Sequence, residues 1–226
     1  MRQARNPGAA NSAIMYGLYV ITECWGERTH ADVARAALAG GARAVQLRGK
    51  DLCVRELLAT ALELHDLCAQ ANALFVVNDR LDVALAAHAH GVHLGPDDLP
   101  VAGARRALHG WERERFVVGA SVSTVEEAKQ AVADGADYLG VGSMFATDTK
   151  PDAGEPVGLQ RLAEIRHVVS LPLVAIGGIT ADNVAEVIRA GADGAAVISA
   201  VSRADDMEAA ARRLAAIIEE SKHTRR

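Results

Sequence analysis

The 226-residue sequence has few of the features that mark secreted, membrane-spanning or nucleic-acid-binding proteins. It contains three cysteines and no C-x-x-C pair, which favours free thiols in a reducing compartment over a disulfide framework. No apolar run approaches the roughly 18–20 residues that a membrane-spanning helix needs, and the first 15 residues lack the apolar stretch of a signal peptide. We therefore expect a cytoplasmic protein with no membrane partner.

The sequence also has few aromatic residues and no excess of positive charge. Aromatics make up 4% of the chain, and 24 Lys and Arg residues against 29 Asp and Glu residues give a formal net charge of -5. A chain with no excess of positive charge and few aromatic side chains has little to attract nucleic-acid phosphates or to stack against bases, so no nucleic-acid partner is expected. Hydrophobic residues, in contrast, reach 50%, which supports a sizeable buried core.

Short apolar runs alternate with amphipathic stretches along most of the chain. Continuous apolar runs are typical of parallel strands that are buried on both faces. The stretches 54–69, 125–133 and 207–218 have helical spacing and composition. The sequence predicts eight strands, at 18–22, 44–48, 74–78, 91–94, 116–121, 138–142, 173–176 and 195–199.

A weak internal repeat indicates how these units are organised. Gly41, Gly135 and Gly191 each precede an alanine and then a strand, and Gly91 belongs to a looser fourth copy. A glycine with positive φ after a helix turns the chain back toward the sheet. Because the copies precede every second strand, each repeat contains two βα units, as expected for a barrel built from four such repeats. We predict a single (β/α)8 TIM barrel at 16–221, a frayed tail at 1–15 and a basic tail at 222–226. An open doubly wound sheet, which uses the same turns, is the alternative.

In such a barrel the functional groups lie on the loops that follow the strands. Gln46, Arg48 and Lys50 follow the second strand, where they could grip a phosphate, although a solvated loop is the alternative. Asp79 and Asp98 follow the third and fourth strands and could share Mg²⁺ with phosphate oxygens and water. Because each precedes a helical stretch, helix N-capping explains these two carboxylates equally well.

The second half of the chain offers polar groups at the same edge. Ser121 ends the fifth strand, and a long loop at 143–157 carries the run TDTK at 147–150. Gly178 follows the seventh strand and Ser199 the eighth, which is where this architecture recurrently binds phosphate. These residues predict an anion site.

Other common catalytic arrangements are missing from the sequence. His88, His90 and His93 do not place three ligands on one helix face, so zinc is disfavoured, and a satisfied core or rim histidine is favoured for His93. There is no G-x-S-x-G elbow, Walker loop or H-E-x-x-H motif. Acyl-enzyme chemistry is therefore not expected.

Taken in order, these motifs resemble the thiamine-phosphate synthase (thiamine-phosphate pyrophosphorylase) family. The resemblance spans about 16–206 and rests on LYVIT at 18–22, QLRGKD at 46–51, VNDR at 77–80, GVHLG at 91–95, DDLP at 97–100, TDTKP at 147–151, GGIT at 177–180 and VISA at 197–200. It implies a transferase that joins 4-amino-2-methyl-5-hydroxymethylpyrimidine diphosphate to 4-methyl-5-(2-phosphooxyethyl)thiazole. The products are thiamine phosphate and pyrophosphate.

The resemblance also implies roles for individual residues. The residues implied to hold the pyrimidine diphosphate are Tyr19, Gln46, Arg48, Lys50, Asn78, Ser121 and Lys150. Four of these are implied to be catalytic, namely Arg48, Lys50, Ser121 and Lys150. The thiazole phosphate is implied to contact Thr147, Thr149, Gly178, Ile198 and Ser199, and Mg²⁺ to be held by Asp79 and Asp98.

This chemistry agrees with the residues present. Because the aminopyrimidine can delocalise a benzylic-like cation, the diphosphate can ionise before the thiazole nitrogen attacks. Mg²⁺ and the cations Arg48, Lys50 and Lys150 would stabilise the departing pyrophosphate, and no side-chain nucleophile is needed. Gly49 replaces a usual acidic residue, and Ser143 and Ala146 replace common prolines. We expect these departures to have modest effects on loop order or turnover.

Two other functions are compatible with the resemblance. A related thiazole tautomerase shares the barrel but has no leaving pyrophosphate to stabilise, so the retained cations and carboxylates argue against it. A non-catalytic sensor of thiamine precursors is the second alternative. A homodimer is compatible with the sequence, which does not reveal the oligomeric state.

Overall fold

The computed structural model describes residues 17–109, 116–147, 149 and 155–224. Within these ranges eight parallel strands form a closed barrel in chain order. The strands are β1 (Leu18–Thr22), β2 (Ala44–Leu47), β3 (Leu74–Asn78), β4 (Gly91–Leu94), β5 (Val117–Val122), β6 (Tyr138–Val141), β7 (Leu173–Ile176) and β8 (Gly194–Val197). The predicted (β/α)8 TIM barrel is confirmed, and the open-sheet alternative is wrong, because Leu18 of β1 pairs with Ala195 of β8 and closes the ring.

Helices surround the barrel and cover its outer face. The helices of the described ranges are α1 (His30–Ala39), α2 (Val54–Gln70), α3 (Leu81–Ala86), α4 (Val101–Ala107), α5 (Val125–Asp134), α6 (Gly158–Val168), α7 (Val184–Arg189), α8 (Ser199–Ser202) and α9 (Met207–Thr224). The long helix α9 packs against α1 and α7, so the outer layer closes at the same place as the strands. No helix in the described part of the chain is long and apolar enough to cross a bilayer.

Local sequence explains where several of these helices begin and end. Helix α5 begins with a capping box in which Thr124 and Glu127 satisfy each other's backbone N–H groups. The repeat glycines Gly41, Gly135 and Gly191 have φ of 92°, 96° and 123°, as predicted for left-handed residues that end a helix.

The fourth copy of the repeat differs from the prediction. Gly91 is already the first residue of β4, and the left-handed position is occupied by His88, whose φ is 53°. Asn72, with φ of 51°, makes the same turn before β3. The turn therefore recurs without glycine, because a helix can also end on a polar residue that tolerates positive φ.

Side chains alternate along each strand and form two buried layers. The outer layer, between strands and helices, is apolar and includes Leu47, Phe75, Val92, Leu139 and Ile188. The inner layer fills the barrel with Tyr19, Ile21, Ala44, Leu74, Val76, Val117, Tyr138, Val174 and Ala196. The barrel interior is thus packed over most of its height, and open space is left at its mouth.

The structure describes part of only one of the two predicted tails. The N-terminal tail predicted at 1–15 lies outside the described residues. The C-terminal prediction is corrected, because α9 continues to Thr224 and makes residues 222–224 helical. Lys222 Nζ contacts Glu219 Oε1 at 2.8 Å, and His223 Nδ1 lies 2.7 Å from the Glu219 carbonyl oxygen, so local contacts extend the last turn.

Candidate active site

A cavity of about 980 Å³ opens where the carboxyl ends of the strands meet. Its walls come from strands and loops all around the barrel, as expected for this architecture. The predicted site residues that line it are Tyr19, Gln46, Arg48, Asn78, Asp98, Ser121, Thr147, Thr149, Gly178, Ile198 and Ser199. The closed barrel therefore gathers groups that lie far apart in the sequence.

Two carboxylates, Asp79 after β3 and Asp98 after β4, lie close to each other at one side of the barrel mouth, and Asp98 lines the cavity whereas Asp79 and Lys50 are not among its lining residues. The Gly95 N–H donates to Asp98 Oδ2 at 2.7 Å and holds that carboxylate in place. The N-cap positions of α3 and α4 are occupied by Arg80 and Pro100, neither of which makes a side-chain capping bond, so the N-capping alternative for Asp79 and Asp98 is wrong.

The backbone at Asp79 is in an unusual conformation. Its φ is 63°, a region that costs a non-glycine residue on the order of 1 kcal/mol or more. The strained turn is held by the Asp79 N–H, which donates to the His93 carbonyl oxygen at 2.8 Å, and by the Arg80 N–H, which donates to the Asn78 carbonyl oxygen at 2.7 Å. Such strain is typical of a turn that aims a functional side chain.

The electrostatics of this side are dominated by the carboxylate pair. Burial, together with the hydrogen bond and negative charge of Asp98, raises the pKa of Asp79 to about 6. Arg48 and the exposed Lys50 oppose this shift through their positive charge but do not outweigh it. Both cations therefore lie within electrostatic reach of Asp79.

The carboxylate pair fits a divalent cation that is only partly held by protein. In the described ranges, no group of three or more His, Cys, Asp or Glu residues could hold a metal by itself. Mg²⁺ commonly takes one or two carboxylates and completes its shell with water and substrate phosphates. The donor set of Asp79 and Asp98 matches this mode, and their mutual repulsion would be relieved by a cation.

Hydroxyls and glycines occupy the other side of the cavity. Thr149 Oγ1 donates to Ser199 Oγ at 3.0 Å, and the Thr149 N–H donates to Thr147 Oγ1 at 3.3 Å. Gly178 has φ of 62°, and a Cβ there would lie 2.6 Å from the Ala146 carbonyl oxygen. Glycine is thus required for the close passage between the loops that follow β6 and β7.

The long loop after β6 is described only in part. Its ends are joined because the Val157 N–H donates to the Ser143 carbonyl oxygen at 2.7 Å. Ser143 Oγ donates to the Phe145 carbonyl oxygen at 2.8 Å, which braces the turn where the family commonly has proline. Lys150, predicted to be a catalytic cation, lies outside the described residues.

A hydrogen-bonded chain of side chains crosses the floor of the cavity, and the sequence did not reveal it. Gln46 Nε2 donates to Tyr19 Oη at 2.9 Å, and Tyr19 Oη lies 3.2 Å from Tyr138 Oη. Tyr138 Oη lies 2.9 Å from His93 Nδ1, whose ring also places Nε2 2.9 Å from Ser121 Oγ. His93 is therefore a satisfied rim histidine, as favoured from the sequence, but it also lines the cavity.

Two glycines make room for the rings in this chain. Gly119 lies between His93 and Tyr138 in the strand register, and a Cβ there would lie 2.1 Å from Tyr138 Cζ. A Cβ at Gly140 would lie 2.9 Å from His93 Cε1. The alternation of inward positions around Gly119 was the signal that could have identified Tyr138 from the sequence.

Comparison with known proteins places the chain in a family. Residues 18–201 match the model of the family described as thiamine monophosphate synthase. The chain is 57% identical over 201 residues to the thiamine-phosphate synthase of Methanoculleus marisnigri, covering 88% of this chain and 93% of that protein. It is 53% identical over 203 residues to the thiamine-phosphate synthase of Chloroflexus aurantiacus, covering 89% and 92% of the two chains.

A solved structure gives the same result. The thiamine phosphate pyrophosphorylase from Pyrococcus furiosus superposes with a TM-score of 0.82 at 44% identity, covering 92% of this chain and 97% of that one. Both sequence and fold are thus shared over nearly the full length of the relatives. The predicted resemblance is confirmed, and the chain belongs to the thiamine monophosphate synthase family.

Proposed function

We propose that this chain condenses a pyrimidine diphosphate with a thiazole phosphate to give thiamine phosphate and pyrophosphate. Family membership confirms the predicted enzyme class, a transferase of the pyrimidinylmethyl group. The observation that carries the proposal is the division of one cavity into a charged side and a neutral side. The charged side has Asp79 and Asp98 close to Arg48 and Lys50. The side that we call neutral has Thr149 bonded to Ser199, and Glu155 and Arg161 of the β6–β7 connection also line the cavity.

On the charged side, side chains and a divalent cation would together receive the leaving diphosphate. Arg48 would bind it in bidentate fashion and Lys50 as a point charge. Asp79 and Asp98 would hold Mg²⁺, which supplies charge neutralisation to the diphosphate oxygens when it is bound. Lys150 would add a further cation, as the family resemblance implies.

The pyrimidine ring would lie over the floor of the cavity. Gln46 of β2, Ser121 of β5 and Tyr19 of β1 all line this part of the cavity. Asn78, at the end of β3, lines the same region. These groups offer hydrogen bonds to a polar ring and an aromatic surface beside it, which would fix the ring for reaction.

On the neutral side, the thiazole would be held through its phosphate. Thr147, Thr149 and Ser199 offer hydroxyl groups, and Gly178 and Ile198 offer backbone close to the cavity. Holding the remote phosphate would orient the ring nitrogen toward the pyrimidine methylene and remove entropy from the encounter.

The bond changes need no nucleophile from the protein. The carbon–oxygen bond of the diphosphate ester would break, and its electron pair would leave on pyrophosphate. The lone pair of the thiazole nitrogen would then form the new carbon–nitrogen bond. The protein's part is to stabilise the leaving anion and to align the two rings in the cavity at the barrel mouth.

The alternatives are less well supported by the site. A tautomerase acting on thiazole phosphate alone would need only the neutral side, whereas the charged side is built from a strained turn and a half-buried carboxylate pair. Cys24, Cys53 and Cys68 are free thiols, which supports the proposed cytoplasmic location. Homodimer formation stays a prediction from the sequence.

A direct assay tests the proposed reaction. Purified protein mixed with both heterocycles and Mg²⁺ should release pyrophosphate and form thiamine phosphate in equal amounts, and omission of either substrate should abolish both products. Lys150→Ala should lower turnover more than it weakens thiazole phosphate binding. Conversion of thiazole phosphate alone, without pyrophosphate release, would instead support the tautomerase.

A further inference from the structure

The loop that joins β1 to α1, residues 23–29, contacts the short helix α8 and the segment that follows it. The two ends of this loop are held together, because His30 Nδ1 lies 2.8 Å from Thr22 Oγ1. Its tip is closed by two backbone hydrogen bonds of 3.3 and 3.1 Å between Trp25 and Arg28. The loop is therefore a well-braced support from which side chains can reach α8.

One side chain of this loop, Arg28, reaches the carboxyl end of α8. Its Nη1 donates to the carbonyl oxygens of Ser202 at 2.9 Å and of Ala204 at 2.6 Å, and its Nη2 donates to that of Asp205 at 3.3 Å. The last carbonyl groups of a helix have no partner within it, and a guanidinium offers several donors in one plane. Arg28 therefore holds the end of α8 by its backbone.

A second contact between the same two segments is an ion pair. The Arg203 guanidinium donates to the Glu23 carboxylate through Nε at 3.2 Å and through Nη2 at 3.1 Å. The same guanidinium lies 4.0 Å from the centre of the Trp25 ring. The loop and the end of α8 are thus joined by two arginines that reach in opposite directions.

Helix α8 is one turn long and depends on such contacts. An isolated helix of this length is unstable in water, because its few hydrogen bonds do not offset the ordering of the backbone. The Ser202 N–H donates to the Ile198 carbonyl oxygen at 3.0 Å. The Arg203 N–H donates to the Ser199 carbonyl oxygen at 3.1 Å. These two bonds connect the residues held by the loop to the two residues that line the cavity.

We propose that Arg28 is a positioning residue that holds α8 so that the Ser199 hydroxyl and the Ile198 backbone stay in place to bind the thiazole phosphate. The inference rests on the proposed function for the identity of the ligand. Because Thr149 Oγ1 donates to Ser199 Oγ, displacement of α8 would disturb both hydroxyl groups. Arg28 is not among the residues that line the cavity, so its effect on the ligand is transmitted through α8.

Amide hydrogen exchange tests this support without any ligand. In Arg28→Ala the Ser202 and Arg203 amides should exchange about tenfold faster than in the unaltered protein, because α8 opens more easily once its carboxyl end is released. The amides of α7 should keep their rates. Arg35→Ala is the matched control, because it removes an arginine of α1 that contacts Glu63 of α2, and it should leave the exchange of both helices unchanged.

Binding affinity then tests the positioning role. In calorimetry, Arg28→Ala should bind thiazole phosphate about tenfold more weakly, the loss of about one hydrogen bond. Its affinity for Mg²⁺-pyrophosphate should stay within about twofold. Arg28→Lys should recover part of the loss, because an ammonium group can donate to these carbonyls without the planar fork. The double variant with Ser199→Ala should be little worse than Ser199→Ala alone, because Arg28 acts mainly through Ser199.

The outcomes separate the support of α8 from the reaction. Unchanged exchange at Ser202 and Arg203 in Arg28→Ala, or unchanged affinity for thiazole phosphate, would overturn the positioning role. Equally faster exchange in α7, or equal weakening of both ligands, would overturn it in favour of a general structural role. An unaltered protein that binds thiazole phosphate but forms no thiamine phosphate would overturn the proposed function, whereas exchange and affinity would still decide the role of Arg28.

Discussion

The two sides of the barrel mouth are built from different chemistry on the same framework. The loops after β2, β3 and β4 present charges, with the pKa of Asp79 raised to about 6 beside Asp98. The loops after β6, β7 and β8 present mainly hydroxyls and glycines, with a bond from Thr149 to Ser199, although Glu155 and Arg161 of the β6–β7 connection also line the cavity. Because each loop is anchored to its own strand, one cavity can present a strongly polarising site on one set of loops and a neutral site on another set.

The difference matches the demands of the proposed substrates. A departing diphosphate develops charge in the reaction and needs cations and a metal, which act most strongly at a half-buried site. A phosphate that stays attached to its ring needs only to be held, and hydroxyl groups and backbone donors can do that without a charge. Substitutions on the two sides should therefore separate chemistry from binding.

The largest effect is expected from the carboxylate pair. Asp79→Ala or Asp98→Ala should reduce kcat by about a thousandfold, because several kcal/mol of transition-state stabilisation would depend on the cation that we propose they hold. Titration of activity with Mg²⁺ should also lose its saturation in both variants. A Mg²⁺ response identical to that of the unaltered protein would refute the assignment of these two ligands.

The next largest effect is expected from the guanidinium on the same side. Arg48→Ala should lower kcat by about a hundredfold while KM for the thiazole phosphate stays nearly constant, since the proposed role of Arg48 is to stabilise the leaving group. Arg48→Lys is the matched control and should recover part of the loss by restoring charge without the bidentate fork. A variant that lost affinity mainly for the thiazole phosphate would move Arg48 to the other substrate.

A smaller effect is expected on the neutral side. Ser199→Ala removes the hydroxyl that accepts from Thr149 and should raise KM for the thiazole phosphate about tenfold, with kcat changed little. Steady-state kinetics with each substrate varied in turn will measure both constants. Ser202→Ala in the same short helix is the control, because Ser202 Oγ contacts Glu23 rather than the cavity hydroxyls.

The smallest effect concerns stability, and its sign follows from linkage. The pKa of Asp79 is about 6 in the folded protein and near 3.9 in an unfolded chain. The folded state therefore binds the proton more tightly, and ionised Asp79 lowers stability above pH 6. This cost declines as pH falls and is lost below about pH 3.9.

Asp79→Asn should accordingly stabilise the metal-free protein at pH 7.5, by about 1 kcal/mol once solvent screening at this half-buried site is allowed for. Urea unfolding in EDTA measures the change, which should shrink toward pH 4. Asp82→Asn is the matched control in the neighbouring turn: the hydrogen bond from Arg80 lowers the pKa of Asp82, so this variant should lose a little stability. Equal behaviour of the two variants would contradict the charge cost assigned to Asp79.

Much of the fold could be predicted because its signals are local. Each strand is a mostly apolar run, and each predicted strand overlaps the observed one, with boundaries that differ by at most two residues, as at Gly194–Val197. The glycines that end helices with positive φ could also be predicted, because each precedes an alanine and then an apolar run in the sequence. His88 shows the limit of this approach, because its left-handed turn is made without the glycine that would reveal it.

Only the site residues that lie at strand ends or on the loops after them could be predicted from the sequence. Polar groups that directly follow strands, such as Arg48 and Asp98, line the mouth because all strand ends meet there. The contact between Tyr19 and Tyr138 joins β1 to β6, which are not neighbours in the barrel. Such a contact depends on the diameter of the closed barrel and on the space left by Gly119, and neither is encoded in a single stretch of sequence.

Separate binding of the two anions would show whether the mouth is divided. Isothermal titration calorimetry can measure the affinity for Mg²⁺-pyrophosphate and for thiazole phosphate, each titrated alone, in the unaltered protein, in Arg48→Ala and in Ser199→Ala. We expect Arg48→Ala to weaken only pyrophosphate binding and Ser199→Ala to weaken only thiazole phosphate binding, each by about tenfold or more. Equal weakening of both ligands by both variants, or the reverse pairing, would contradict a mouth with one charged and one neutral side.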